Sequence, residues 1–304
     1  MKHSRLFFLS LVLTLCLSAF NGYACTNFLV SKGASADGSV FITYAADSHI
    51  RYGELYFTPA ADWPAGSMRI CYDRGSNQPR GSVPQPAHTY KVIGYINENQ
   101  VAMGETTFGG KNELIDPTGI VDYGSLMFIA LERSTSAREA IKIMAEIVEE
   151  YGYGSSGESF SISDKNEVWY MEIVGKGYKE AIDKDGNRYN ADKGAEWVAI
   201  RVPEGYVSGH ANAARITTFP LRDGKKSITD KDWKKLYNPD IEVIYKHDII
   251  DFARSKGFFD GKDKDFDFCR AYAPIDFSGA RSCELRVWMM FNAICDGMEE
   301  YWDY

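Results

Sequence analysis

Cys25 stands in the stretch "NGYACTNFLVSKGASADGS", directly behind a segment with the order of an export signal. Lys2 and Arg5 come first, then the apolar run "LFFLSLVLTLCLSAF" from Leu6 to Phe20, then "NGYA". The small residues Gly22 and Ala24 lie three and one places before Cys25, so a signal peptidase can cut between Ala24 and Cys25. That cut would free an α-amine beside the thiol. An interior amide nitrogen cannot act as a base, whereas a free amine can take the thiol proton, directly or through a water, and so gives the nucleophile its own general base. At pH 7 a thiol of pKa about 8.5 is mostly un-ionised and an α-amine of about 7.7–8.0 is mostly protonated. Burial or an adjacent cation must therefore lower the proton affinity of the amine, and the attacked carbonyl needs hydrogen-bond donors for its oxyanion.

The surroundings of Cys25 argue for cleavage and against an anchor. Lipidation calls for a large aliphatic residue three places before the modified cysteine, and Gly22 is there; Cys16 follows Leu15 and is an equally poor site. The apolar run is shorter than the roughly 20 residues that span a bilayer, and no later segment is long enough. The expectation is a signal peptide over 1–24 and a mature chain from 25, exported to the periplasm or the medium without stable membrane insertion. Losing Lys2 and Arg5 but no acidic residue moves the net charge from −8 to −10, which speaks against nucleic acid as a partner. Cys25, Cys71, Cys269, Cys283 and Cys295 remain, and an odd number in an exported chain leaves at least one thiol unpaired. There is no CxxC pair, HExxH or Cys/His cluster with zinc spacing, so neither a metal nor a cofactor is expected.

The elements that must position this thiol read mainly as strands. "TNFLVSK" and "SVFITYAA", joined through Asp37-Gly38, form a hairpin at the mature N-terminus. "ELYFTPA" reads as another strand, and residues 66–87, rich in Gly, Pro, Arg and Gln, as a loop. "YKVIGYI" and "QVAMGETTF" give a second hairpin, "ESFSIS" and "EVWYMEIVG" a third, and "EWVAIRVP" with "YVSGHANAARI" a fourth pair about Glu204-Gly205. "STSAREAIKIMAEIVEEYG" has helical spacing, with a capping box at Ser136 and Glu139 and a stop at Gly152. A second helix is expected from Pro239 to Lys256, and "LRDGKKSITDKDWKK" is expected to be a surface connection. Hairpins alternating with amphipathic helices indicate an α+β layered domain.

"CTNFLVSKGASADGSVFITYAADSH", "GETTFGG", "YGSSGESFSISDKNEVWYMEI", "SGHANAARI" and "ARSCELRVW" together resemble the secreted bacterial cysteine dipeptidases of the N-terminal-nucleophile hydrolase superfamily, relatives of secernins, penicillin V acylase and bile salt hydrolases. The resemblance extends from Cys25 to about Trp288. It implies an αββα four-layer sandwich of antiparallel sheets, a Cys25 nucleophile, and metal-free hydrolysis of dipeptides. It also places Asp47 where the superfamily has an aspartate that holds the α-amine, and Asn212 where relatives have an asparagine donating to the oxyanion. Arg281 can match the arginine beside the nucleophile, and Arg286 is an equal candidate. Two departures stand out. Tyr44 occupies the place, three residues before the aspartate, where bile-salt-cleaving relatives carry arginine. Family members generally run longer, while this chain stops at "DGMEEYWDY", so the domain over 25–304 is expected to be incomplete at its C-terminus.

Other readings stay open. A Cys/His pair has His49, His88, His210 and His247 to draw on, but it gives no reason for Cys25 to follow a cleavage point, and the sequence surroundings of papain-type cysteines are missing. His210 is the histidine expected nearest the site, through Asn212. Besides a dipeptidase, the same nucleophile suits an acyl-amide hydrolase of the superfamily, and a truncated copy suits a non-catalytic binding protein.

Overall fold

The computed structural model describes residues 25–47 and 54–301. The expected signal peptide, its cleavage side and His49 lie outside the described residues. Along the chain come β1 (Cys25–Val30), β2 (Phe41–Ile42), β3 (Ala45–Ala46), β4 (Phe57–Thr58), β5 (Ala61–Asp62), β6 (Met68–Tyr72), β7 (Pro79–Pro84), β8 (His88–Thr89), β9 (Val92–Ile93), β10 (Ile96–Asn97) and β11 (Ala102–Gly109). Helices α1 (Tyr123–Arg133) and α2 (Ala137–Tyr151) follow, then β12 (Gly157–Ser163), β13 (Val168–Gly175), β14 (Glu180–Ile182), β15 (Arg188–Asn190), β16 (Ala195–Arg201), β17 (Val207–His210), β18 (Ser227–Thr229) and β19 (Val243–Tyr245). The chain continues through α3 (Ile249–Ser255), α4 (Phe268–Tyr272), α5 (Phe277–Gly279), a π-helical turn (Ala280–Glu284) and α6 (Leu285–Ile294).

This is an α+β fold built on two stacked sheets. The large sheet has the order β18-β19-β16-β13-β12-β11-β10-β9-β4 and is antiparallel except for the parallel β18–β19 pair. In the smaller sheet β1 lies between β17 and β2, and its first residues also pair with β3. Alternation along the strands assigns the two faces of the large sheet. Phe160, Ile162, Trp169, Met171 and Ile173 join one core with Leu126, Ile129, Ile141, Met144 and Val148 of α1 and α2. Val168, Tyr170, Val174 and Val198 join a second core with Leu29 of β1 and Phe268 and Tyr272 of α4. Helix α6 packs against β1 and β17.

The third hairpin and the expected first helix, α2, stand where the sequence puts them, whereas the second hairpin forms only in part: β9 and β10, both within "YKVIGYIN", pair with each other, and β10 meets β11 at Ile96–Ala102 alone. Ser136 caps α2 by accepting from the Glu139 amide, but the Glu139 carboxylate turns to Thr135, accepting from its amide at 2.8 Å and its hydroxyl at 2.6 Å. Gly152 ends the helix at φ 76°, a left-handed conformation that costs glycine little.

Four expectations are corrected. Residues 66–87 hold the β6–β7 hairpin. The expected fourth pair does not form, because β16 joins the large sheet between β13 and β19 while β17 crosses to pair with β1. The segment expected to be a helix from Pro239 is strand β19 in its first half, and only Ile249–Ser255 is helical; Val243–Tyr245 is wholly buried against β16, where β-branched residues pack well. The expected surface connection contains the buried strand β18.

Arg138 ties α2 to the large sheet. Its guanidinium pairs with Glu167 at 2.6 Å and donates to the carbonyls of Leu236 at 2.7 Å, Asn238 at 2.8 Å and Ile241 at 3.2 Å, with Trp169 stacked 5.0 Å away. Removing one partner of a buried pair strands the other, at a cost of about 3–5 kcal/mol. Arg138→Ala is therefore expected to lower stability by about 3 kcal/mol, read as a reduced urea midpoint by circular dichroism; an unchanged midpoint would show the tie to be dispensable.

Candidate active site

Cys25 opens β1 and pairs with Ala46 of β3, which brings the first residue of the small sheet beside Asp47. Its backbone nitrogen donates to Asn212 Oδ1 at 2.7 Å. Its carbonyl accepts from Arg286 Nη1 at 2.7 Å, and the same nitrogen donates to Thr26 Oγ1 at 2.7 Å. Arg286 Nη2 reaches Asn212 Oδ1 at 3.0 Å and the Ala211 carbonyl at 3.2 Å. The π-helical turn accounts for this aim, since the Ser282 carbonyl within it accepts from Arg286 Nε at 2.7 Å. Two residues distant in sequence thus hold the backbone of Cys25 at both its nitrogen and its carbonyl.

Asn212 follows β17 at φ 56°, a left-handed conformation that asparagine tolerates better than most residues. Its side-chain amide is used on both sides: Oδ1 accepts from Cys25, and Nδ2 donates to the Thr107 carbonyl at 2.7 Å. Asn212 therefore lies against Cys25 and holds its nitrogen, the contact expected of Asp47. Asp47 is exposed, and its backbone amide acts to lower the Cys25 thiol. Arg281 lies apart, exposed and with its guanidinium 5.9 Å from the centre of the Phe277 ring; of the two candidate arginines, Arg286 touches Cys25. Five residues separate them, so they leave this helical segment in different directions.

The half-buried thiol faces negative charge. Burial pushes it up to about 12, and the charge of Glu105 adds to this; the Asp47 amide acts in the opposite sense, while Glu158 and the Asp47 carboxylate raise it further. Glu105 of β11 and Glu158 of β12 are 3% and 1% exposed, and burial together with the charge of Glu105 pushes the Glu158 carboxyl well up. Thr107 Oγ1 donates to Glu158 Oε1 at 2.7 Å, and the Tyr44 hydroxyl donates to Glu105 Oε1 at 2.6 Å. Gly104 permits this approach, because a Cβ there would stand 2.7 Å from Asn27 Nδ2 and 3.0 Å from Tyr44 Cβ. The sequence reading passed over both glutamates; the available signal was an acid in the middle of each of two strands that read as core, "AMGETTF" and "ESFSIS".

His210 is buried between Thr106 Oγ1 at 2.7 Å and Ser161 Oγ at 2.8 Å, and burial drives it down to about 3, so it is neutral and structural. His88 pairs with Asp62 and His247 with Asp230 near the surface. All five cysteines from Cys25 onward are free thiols. Among the described residues no three His, Cys, Asp or Glu side chains are grouped to hold a metal, and no helix is long and apolar enough to cross a membrane.

Residues 24–301 match the family described as peptidase family C69. The chain belongs to that family. It is 25% identical over 289 residues to a probable dipeptidase of Salmonella dublin, covering 88% of this chain and 57% of that one. It is 28% identical over 219 residues to a probable dipeptidase of Latilactobacillus sakei, with coverage of 66% and 41%. To the probable dipeptidase B of Streptococcus pyogenes serotype M1 it is 25% identical over 243 residues, with 72% and 44%. The chain thus spans about half the length of these relatives.

The raised thiol has a direct reading. In a chain that still carries residues before Cys25, alkylation of Cys25 by iodoacetamide should rise about tenfold per pH unit without levelling off below pH 10, whereas a thiol of ordinary pKa, about 8.5, levels off. Peptide mass mapping separates Cys25 from the other four thiols, and a plateau near pH 9 would contradict the environment described.

Proposed function

We propose that the chain is an exported dipeptidase in which cleavage after Ala24 makes Cys25 the N-terminal nucleophile and its own α-amine the general base. The observation that carries this reading is the way the Cys25 nitrogen is held, 2.7 Å from Asn212 Oδ1 and beside a guanidinium. Membership of a peptidase family and the names of the relatives supply the reaction class. The packing order supports the four-layer αββα form of the N-terminal-nucleophile hydrolases: α1 and α2, the large sheet, the small sheet, then α6.

In this mechanism Asn212 Oδ1 accepts one N–H of the amine and orients its lone pair. Arg286 lowers the proton affinity of that amine, because a neighbouring cation disfavours a second one. The thiol proton passes to the amine, directly or through a water, as the sulfur attacks the peptide carbonyl carbon. With Asn212 Nδ2 committed to Thr107, the Asp47 amide, which favours the thiolate of Cys25, is the donor assigned to the oxyanion. Breaking the C–N bond returns the proton to the departing amino acid and leaves a thioester on Cys25. Water, deprotonated by the same amine, then hydrolyses the thioester.

The test is a dipeptide panel followed by chromatography, with protein beginning at Cys25. Hydrolysis should survive chelators and vanish in Cys25→Ala and in a form retaining Ala24. Arg286→Met should lose on the order of a hundredfold in kcat/KM, as loss of one preorganised charged donor does. Arg281→Met should stay within about twofold, as surface changes usually do. Cleavage of acyl amides with no dipeptide cleaved would favour the acyl-amide hydrolase, and equal activity with Ala24 retained would remove the amine from the mechanism. N-terminal sequencing of the exported protein tests the cleavage point and the localisation together.

A further inference from the structure

The loop that ends β11 makes one wall of a cavity that reaches Asn212. In "TTFGGK" the register with β12 shifts between Thr107 and Gly109, a bulge at Phe108. Gly109 and Gly110 then take φ 80° and 75°, which turns the chain out of the sheet, and a Cβ on Gly110 would stand 3.2 Å from the Tyr272 carbonyl. The turn brings Lys111 to a cavity of 430 Å³ that Phe108, Asn212, Ile275 and Asp276 also line. That volume lies in the range of about 300–1,000 Å³ that suits small-molecule ligands. Asn212 joins the cavity to the nucleophile, since its Oδ1 accepts from the Cys25 nitrogen at 2.7 Å.

The charged residues of the lining are Lys111 and Asp276. Asp276 Oδ1 accepts from the Gly279 amide at 2.7 Å and caps the helical segment that starts there, so the amides of that helix end offset its charge. The Lys111 ammonium lies 4.7 Å from the centre of the Phe258 ring, and among the described residues no carboxylate pairs with it. A ring face holds a lysine without neutralising it.

A dipeptide brings the missing anion. Three bonds separate its scissile carbonyl carbon from its carboxylate carbon, a span of about 3–4 Å, so a carbonyl at the Cys25 sulfur puts the carboxylate close by. We infer that this cavity takes the C-terminal residue of the substrate and that Lys111 pairs with its carboxylate. Lys111 is then a determinant of specificity for chains that end one residue after the scissile bond, because a longer peptide puts a neutral amide at that place. Phe108 and Ile275 offer apolar surface to the side chain of the departing residue. The inference rests on the dipeptidase reading for its substrate, but the charge contact can be read from binding alone.

Two measurements test it on protein beginning at Cys25. The first compares kcat/KM for Ala-Phe with that for its C-terminal amide. The unmodified enzyme should prefer the acid, and Lys111→Met should lower that preference about tenfold, the scale of one charged hydrogen bond, chiefly through KM. Lys111→Arg should keep most of it. An equal loss on acid and amide would mean that Lys111 only braces its loop against Phe258, and would overturn the inference. Gly279→Leu narrows the same cavity, and a Cβ there meets nothing closer than 3.4 Å, so the backbone has room for it. KM should rise about tenfold for Ala-Phe and less than about twofold for Ala-Gly; equal effects on the two would place the departing side chain elsewhere and overturn the inference as well. The second measurement is calorimetric titration of Cys25→Ala with Ala-Phe and with its amide. The acid should bind about tenfold more tightly, and adding Lys111→Met should remove the difference. Equal binding of acid and amide would overturn the inference. If the unmodified enzyme cleaves no dipeptide, the dipeptidase reading fails, while the titration still decides whether the cavity recognises a carboxylate.

Discussion

The structure of the site depends on the hold that Asn212 and Arg286 keep on the backbone of one residue, Cys25. Asn212 comes from the end of β17 and Arg286 from the last helical segment, yet both reach the first residue of β1. Strand pairing alone would leave that residue loose. The β1–β17 register runs from Asn27–His210 to Val30–Val207, so Cys25 and Thr26 lie beyond it and are held by the short β3 pairing and by these side chains. A strand end would ordinarily fray, and three charge-assisted or amide hydrogen bonds to Cys25 and Thr26 oppose this.

The same arrangement places opposing charges on the two sides of Cys25. On the nitrogen side a guanidinium makes five hydrogen bonds, which offset its partial burial. On the sulfur side are two buried acids, Glu105 held by the Tyr44 hydroxyl and Glu158 by that of Thr107, and both raise the proton affinity of the thiol. That is opposite to what a permanently active thiolate requires.

Much of this was legible in the sequence, for identifiable reasons. Hairpins built on strict alternation and a marked turn, as in "ESFSISDKNEVWYMEIVG", are local and read correctly. The N-cap of α2 did too, although its glutamate serves Thr135 in place of the cap residue. The failures are non-local. Ile241, Ile244 and Tyr245 fit a helical spacing, and burial against β16 decides for a strand that no window of sequence contains. Glu204-Gly205 is a real turn, with Gly205 at φ 82°, but it carries the chain from one sheet to the other, and turn chemistry does not specify the destination.

The site divides along the same line. Cys25 stood out because the expected cleavage point and the expected nucleophile coincide there. Asn212 and Asp47 were picked out by resemblance, but which of them holds the Cys25 nitrogen depends on which way an amide faces, and only the contacts with the Thr107 carbonyl and the Cys25 nitrogen show that. The choice between Arg281 and Arg286 turned on a π-helical turn, which shifts the phase of the helix and has no sequence signature of its own. Glu105 and Glu158 were legible as anomalies, since a carboxylate in a core strand demands a partner. Among those partners are the hydroxyls of Tyr44 and Thr107, and the first lies 61 residues from its acid, beyond any window in which the sequence could have joined the two.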